Sequence, residues 1–368
     1  MLVFEAIEGG HGGVKAGHSF QAIQLFKVGH VTPSSSGIPK IHEVVRMVHA
    51  IRIHRHGGPE VMSWDQIEVP APAPGEVRLA QRAIGLNFID TYQRTGLYKL
   101  PSLPAVLGME GAGDIMAVGA GVADFEIGDR VAYAGVLGGY AQERNIPADR
   151  LVKIPASISY ETAAAMMLQG MTVRYLLRQT FNVTRDTVML FHAAAGGVGL
   201  IACQWARTIG ATMIGTAGSP DKMALAKALG CTHVINYKTE DFVARVKDIT
   251  NGELCHVVYD SIGKDTFPAS LDCLKPKGLW VSFGNASGPV PPFELAALKG
   301  SLFATRPALM PYIAKREDLV ANATELIGMV ERGHVKINVN QRYPLSEAAQ
   351  AHRDLEARAT TGSTVLIA

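Results

Sequence analysis

Apolar and polar positions alternate in short runs between residues 50 and 150. The stretch AIRIHRHGGPEVMSWDQIEVPAPAPGEVRLAQRAIGLN (residues 50–87) is broken by Gly-Gly-Pro and by Pro-x-Pro-x-Pro-Gly. Period-two alternation between such breakers predicts short antiparallel strands joined by tight turns. GDIMAVGAGVADFEIGDRVAYAGVLGGYAQ repeats the pattern, with Gly119, Gly121, Gly128, Gly138 and Gly139 as punctuation. Residues 50–150 are therefore expected to be mostly β and barrel-like.

The period changes near Thr162. ETAAAMMLQGMTVRYLLRQTF reads as helix, and strand and helix then alternate. The predicted strands are 187–193, 212–217, 233–237, 255–261 and 279–284, with helices such as GGVGLIACQWARTIG and SPDKMALAKALG between them. Continuous apolar strands alternating with helices imply an α/β fold whose parallel sheet is covered on both faces, a doubly wound arrangement. The tail 312–368 returns to helix and ends in the strand-like STVLIA, which is expected to fold back on the first domain.

The first 46 residues lack either period. They carry seven glycines, four histidines and the breaker run Pro33-Ser34-Ser35-Ser36-Gly37-Ile38-Pro39. Neither a secretory core nor an Arg-rich transit pattern is present, since Arg46 is the only arginine. The segment reads as a disordered extension, with Met47 as a candidate true start.

Composition narrows the function. Lys plus Arg is 35 and Asp plus Glu 33, a formal charge of +2, which argues against a nucleic-acid or membrane-surface protein. No apolar run is long enough to span a bilayer. Cys203, Cys231, Cys255 and Cys273 form no CxxC pair, so they read as thiols of a reducing cytoplasm rather than a disulfide or zinc framework.

The chemistry concentrates in TVMLFHAAAGGVG (residues 187–199). A buried strand enters a glycine-rich turn, Ala194-Ala195-Gly196-Gly197-Val198-Gly199, and a helix opens at once. The A-x-G-x-x-G spacing is the dinucleotide fingerprint with alanine for its first glycine. Gly196 lets backbone N–H groups approach a pyrophosphate, Gly199 lets the helix pack on the strand, and the helix N-terminus favours negative charge. An NAD-specific site carries an acid about 20 residues later. Here Gly218 and Ser219 stand at the end of the second strand, with Lys222 one turn on. Small groups and a lysine admit a 2′-phosphate, so NADPH is the expected cofactor; Asp221 blurs the argument unless it serves the helix dipole. Tyr237, ending the third strand, is placed to pack beside the adenosine ribose.

The AAGGVG turn, LPAVLGMEGAGDIMAVG and IGLNFIDTYQRTGLY occur in one order, and together they resemble the medium-chain dehydrogenase/reductase superfamily in its zinc-free quinone oxidoreductase (zeta-crystallin-like) branch. The resemblance covers about 47–368. It implies a GroES-like catalytic domain from 47–168 and 310–368, an NADPH-binding Rossmann domain from 169–309, and a homodimer. The zinc members hold their metal with Cys, His and Cys, the His within Gly-His-Glu. Here Gly108-Met109-Glu110 replaces that motif and Asn87 stands at a cysteine position, so no metal is expected.

Without a metal the acceptor must take hydride readily, as quinones and conjugated enones do. The resemblance puts Asn87, Tyr92 and Tyr98 in the cleft with Arg306 opposite. The tyrosines would bond an acceptor oxygen or relay a proton, and Arg306 would face a reduced oxyanion. Each tyrosine is equally compatible with an amphipathic wall residue, and Arg306 with a structural ion pair. Thr172, Ser261, Phe283, Gly284, Asn285 and Arg358 are carried over as further cofactor contacts, whereas His192 reads as a core histidine. NADPH-dependent quinone reduction is the leading expectation. Reduction of conjugated alkenals or enones is the alternative, with a non-catalytic structural or RNA-binding role behind both.

Overall fold

The computed structural model describes residues 45–368. The expectations for residues 1–44 lie outside the described residues. Up to Lys153 the chain forms β1 (Arg46–Ile53), β2 (Met62–Val69), β3 (Glu76–Leu86), the helix α1 (Phe88–Thr95), β4 (Ala105–Val106), β5 (Glu110–Val118), β6 (Arg130–Ala134), β7 (Glu143–Pro147) and β8 (Val152–Lys153). Then follow α2 (Tyr160–Tyr175), β9 (Val188–Phe191), α3 (Gly197–Ile209), β10 (Thr212–Ala217), α4 (Pro220–Ala228), β11 (His233–Asn236), α5 (Phe242–Ile249), β12 (Cys255–Asp260), β13 (Leu274–Ser282) and β14 (Phe303–Thr305). The tail holds α6 (Leu309–Tyr312), α7 (Arg316–Glu331), β15 (Val339–Pro344), α8 (Ala348–Glu356) and β16 (Ser363–Ile367).

Two sheets are built from the ends of the chain. One has the order β2-β1-β4; the other runs β15-β16-β3-β5-β6-β8, with β7 also paired to β3. The tail does fold back: β16 lies antiparallel to β3, with Thr364 opposite Leu86. The middle of the chain forms a six-stranded sheet of order β11-β10-β9-β12-β13-β14, parallel at every pair. The chain reverses its direction of winding between β9 and β12. In a doubly wound sheet that switch point opens a ligand crevice at the strand carboxyl ends.

Local chemistry explains several boundaries. Asn87 and Asp90 form a capping box that starts α1, and Gly96 ends it at φ 84°. Ser219 caps α4, with Pro220 in its first turn. Mostly apolar, α2 is largely buried, with Ala163, Ala164, Ala165, Met166, Met167 and Met171 each at 0% exposure. It packs against β3 and β5 on one side and α3 and α7 on the other.

Two predicted elements need correction. The helix expected to run to Phe181 leaves α-geometry at Leu176 and closes as a π-turn over Leu176–Thr180. The strand expected from 279 starts at Leu274. Pro276-Lys277-Gly278 reads as a turn, but its irregularity is absorbed as a register shift against β12, with Lys277 at φ 65°. All four cysteines are free and buried, and burial raises the Cys255 thiol to about 12. Among the described residues no helix is long and apolar enough to cross a membrane.

Candidate active site

A cavity of about 680 Å³ runs along the carboxyl edge of the six-stranded sheet to α1. Ala195, Gly196, Gly197, Val198 and Gly199 line its floor. The first intrahelical bond of α3 here runs from Leu200 N to Gly196 O at 2.8 Å, so the N–H groups of Gly197, Val198 and Gly199, all residues of the cavity lining, have no partner within the helix, which suits such a turn to an anion. A Cβ on Gly199 would overlap Ala193 O and sit 2.6 Å from Ala194 O, which is why the helix packs so closely on its strand. Gly196 is open, with Ala193 O its only neighbour at 3.3 Å and φ at −78°. The left-handed residue of the turn is Ala193, at φ 56°.

Of the residues expected to hold the adenosine end, Ser219 is the one that does not line the cavity. Gly218, Lys222, Tyr237 and Arg358 line the cavity. The Tyr237 hydroxyl occupies the space above Gly218, 2.6 Å from where a Cβ would stand. Lys222 Nζ donates to the Arg358 carbonyl at 2.7 Å, and Arg358 approaches Asp265 at 3.8 Å. Burial, with Lys238 and Arg358 close by, lowers the Lys222 pKa. Ser219 is the exception: its Oγ accepts from Lys222 N at 3.4 Å as a helix cap. Asp221 sits in the first turn of α4. His192 touches the cavity wall, yet both ring nitrogens are engaged, with Thr216 at 3.1 Å and Ser270 at 3.0 Å. It is a satisfied buried histidine, as its position suggested.

Thr172, Ser261, Phe283 and Gly284 line the middle, and Asn87, Tyr92, Tyr98 and Arg306 the far end. Asn285 joins the two sides of that end. Its backbone N–H donates to the Tyr92 hydroxyl at 3.0 Å. In the amide orientation that satisfies both ends, its nitrogen donates to Gly284 O at 2.9 Å and its oxygen accepts from Tyr98 and Arg306, each at 3.2 Å. Arg306 also donates to Tyr98 Oη at 2.7 Å and to Ser282 O at 2.8 Å. No carboxylate pairs with Arg306 among the described residues, so the structural ion pair is not what holds it. Burial pushes Tyr92 up to about 12, against the pull of the Asn285 N–H.

Sequence reasoning missed the layer beneath Asn87. Its Nδ2 donates to Glu110 Oε1 at 2.6 Å, and its Oδ1 accepts from Gln169 Nε2 at 3.1 Å. Gly362 also escaped notice; its N–H donates to Ala195 O at 3.3 Å, tying the tail to the turn. The signal available for this layer was Glu110 itself, a charged residue at the start of a largely apolar strand. At the zinc position of the resembled enzymes, Met109 Sδ accepts from Gln93 Nε2 at 3.2 Å. A thioether and two carboxamides do not make a zinc site, and no cluster of three metal-binding side chains occurs among the described residues.

A switch-point crevice with free helix N–H groups at one end and a tyrosine–arginine wall at the other defines a nicotinamide-dinucleotide oxidoreductase. Residues 73–156 match the alcohol dehydrogenase GroES-like domain, and residues 197–323 the zinc-binding dehydrogenase family. A quinone oxidoreductase of Pseudomonas aeruginosa is 53% identical over 324 residues, covering 87% of this chain and 100% of that protein. A 2-haloacrylate reductase of a Burkholderia species is 44% identical over 330 residues, 87% and 99% of the two chains. The crystal structure of Escherichia coli quinone oxidoreductase complexed with NADPH superposes with a TM-score of 0.86 at 51% identity, covering 87% of this chain and 100% of that one. The chain belongs to the quinone oxidoreductase branch of the medium-chain dehydrogenase/reductases, and its cofactor is NADPH.

Proposed function

We propose that the chain reduces quinones with hydride from the bound NADPH, one proton completing the hydroquinone. The observation that carries this reading is the Tyr98–Arg306 pair in the cavity wall. NADPH supplies the hydride; the protein orients the acceptor, excludes water and meets the negative charge that develops on the acceptor oxygen. Arg306 faces that charge. Tyr98 accepts from Arg306 at its oxygen and donates its O–H to Asn285 Oδ1; turning that O–H from Asn285 toward an acceptor lets it hand over the proton. Tyr92, raised to about 12 by burial, serves as wall and as anchor for Asn285. The turn 195–199 holds the pyrophosphate, Gly218, Lys222, Tyr237 and Arg358 the phosphorylated ribose, and Thr172, Ser261 and Phe283–Asn285 the nicotinamide half.

Conjugated alkenals or enones are the second reading, supported by the identity to a 2-haloacrylate reductase. NADPH oxidation measured against a quinone panel and an enone panel separates the two. A kcat/KM at least tenfold higher for quinones is expected, and the reverse order overturns the assignment.

Further parts of the reading concern organisation. The division into 47–168 with 310–368 and 169–309 is supported by the sheets, since only the middle segment contributes to the parallel one. A homodimer, as the resemblance implies, is supported by the position of β14 at the sheet edge and by its exposed Phe303, at 61%. A cytoplasmic location is supported by the four free thiols.

A further inference from the structure

We propose that Glu110 is a positioning residue for hydride transfer, acting through Asn87. The inference rests on the NADPH-to-acceptor reading above and goes beyond it to a buried group that touches neither reactant. Glu110 lies at the start of β5 with no exposed surface. Its Oε1 accepts from Asn87 Nδ2 at 2.6 Å, and its Oε2 accepts from the backbone N–H of Leu168 inside α2 at 2.7 Å. Space for the carboxylate is built in: any side chain at Gly85 would overlap both Glu110 Oε1 and the Ala164 carbonyl.

These contacts set the direction of the Asn87 carboxamide. When ionised, Glu110 only accepts and so takes the Nδ2 end. On the other side Gln169 Nε2 donates to Oδ1 at 3.1 Å, and Gln169 is itself oriented because its Oε1 accepts from Ser363 Oγ at 2.8 Å. A chain of four side chains from β5, the α1 cap, α2 and β16 thus fixes one amide that lines the cavity beside Tyr92. Nδ2 makes one hydrogen bond within the protein, to Glu110, and its second N–H is left for the bound molecules. A preset dipole at that position costs no reorganisation during the reaction.

Burial raises the Glu110 pKa to about 8, opposed by the Asn87 and Leu168 donors and reinforced by Asp90. The titratable groups that face it are Asp90 on α1, Tyr133 on β6 and Tyr140 in the loop that follows. Ionisation converts the hold on Asn87 into a charge-assisted bond. The rate advantage that Glu110 confers therefore grows as pH rises through about 8.

The test is a double-mutant cycle of Glu110→Gln and Asn87→Ala, read in NADPH oxidation with a quinone from pH 6 to 9. Glu110→Gln should lower kcat about tenfold or more while the acceptor KM and the NADPH Kd stay within about threefold. The wild-type to variant ratio of kcat should climb through pH 8. In the Asn87→Ala background the same substitution should change nothing further. Effects that multiply in the double variant, or a Glu110→Gln enzyme equal to wild type across the pH range, overturn the inference. Should Glu110→Gln not fold, Gln169→Leu reads the other end of the same chain. It should lower kcat in the wild-type background only, and multiplicative or absent effects overturn the inference equally. A wild type that oxidises NADPH with no quinone or enone overturns the functional reading, and this inference with it.

Discussion

The carboxamide of Gln169 fills the space that a side chain on Gly197 would need: a Cβ there would overlap Oε1 and stand 2.6 Å from the carboxamide carbon. The cofactor turn and the residue that orients Asn87 are therefore in direct contact. The second glycine of the turn leaves room for the acceptor site, while the third closes the helix onto its strand.

Gly197→Ala should accordingly push Gln169 off Asn87. Overpacking of this kind costs about 1–3 kcal/mol, and kcat should fall along with the melting temperature. Gly196→Ala is the contrast, since its Cβ meets only Ala193 O at 3.3 Å and its φ of −78° suits any residue. Its cofactor-free melting temperature should stay near wild type, while the rise that NADPH produces shrinks. In wild type that rise reflects about 2.7 kcal/mol at a hundred times Kd. Calorimetry of both variants with and without NADPH checks the pair.

Lys222→Ala should reduce the preference for NADPH over NADH. Losing one charge-assisted contact to the 2′-phosphate is worth roughly 10- to 150-fold in that ratio. Ser219→Ala should leave the ratio alone and cost about 1 kcal/mol of stability, because Ser219 Oγ caps α4. Kinetics with both cofactors decide, and an unchanged ratio in Lys222→Ala would remove the lysine from the phosphate site.

Chelation should leave activity intact. Met109 and Asn87 stand where zinc ligands would be, and both are already bonded to protein, to Gln93 and Glu110. Dialysis against a chelator followed by assay, with elemental analysis of the undialysed protein, checks this. Stoichiometric zinc would contradict it.

His352 should make the fold acid-sensitive. Arg94 Nη1 donates to its Nδ1 at 2.9 Å, which leaves Nε2–H to face Tyr140 Oη at 3.0 Å. Burial, and then the Arg94 charge, lower its pKa from 6.5 to about 3. Between those values the unfolded chain takes up a proton that the folded chain refuses. The His352 contribution to stability is therefore lost as pH falls from 6.5 toward 3, at roughly 1.4 kcal/mol for each pH unit crossed. Asp90, raised to about 7 by burial, has the opposite sign: its contribution is complete in acid and is lost as pH rises toward 7. His352→Gln should flatten the acid limb of a plot of melting temperature against pH while lowering its neutral plateau. An unchanged acid limb would show that His352 does not titrate with unfolding.

Legibility followed the range of the interactions. The strand 212–217 was readable residue for residue, because its apolar run and its flanking breakers are contiguous. The start of β13 was not, because Pro276-Lys277-Gly278 has the local chemistry of a turn and is carried through as an irregularity only by its pairing with β12. Most of the expected cavity residues lie in or beside the glycine turn, at strand ends or in the NFIDTY segment. Ser219 lies outside the cavity lining, and its hydroxyl caps α4.

By itself the sequence determined the β-rich first segment, the alternating βα units, the dinucleotide turn and the absence of an acid after the second strand. Each is encoded by neighbours within about 20 residues, through periodicity, capping and backbone freedom. Only the tertiary structure decided that Glu110, 23 positions from Asn87, would lie beneath it, and that Gln169 would reach it from 82 positions away. The same holds for Ser363 holding Gln169 across 194 positions and Arg306 meeting Tyr98 across 208. No local pattern records such contacts. A buried polar group must find its partner wherever packing brings one, since leaving it unpaired in a low-dielectric interior costs more than any local preference can return.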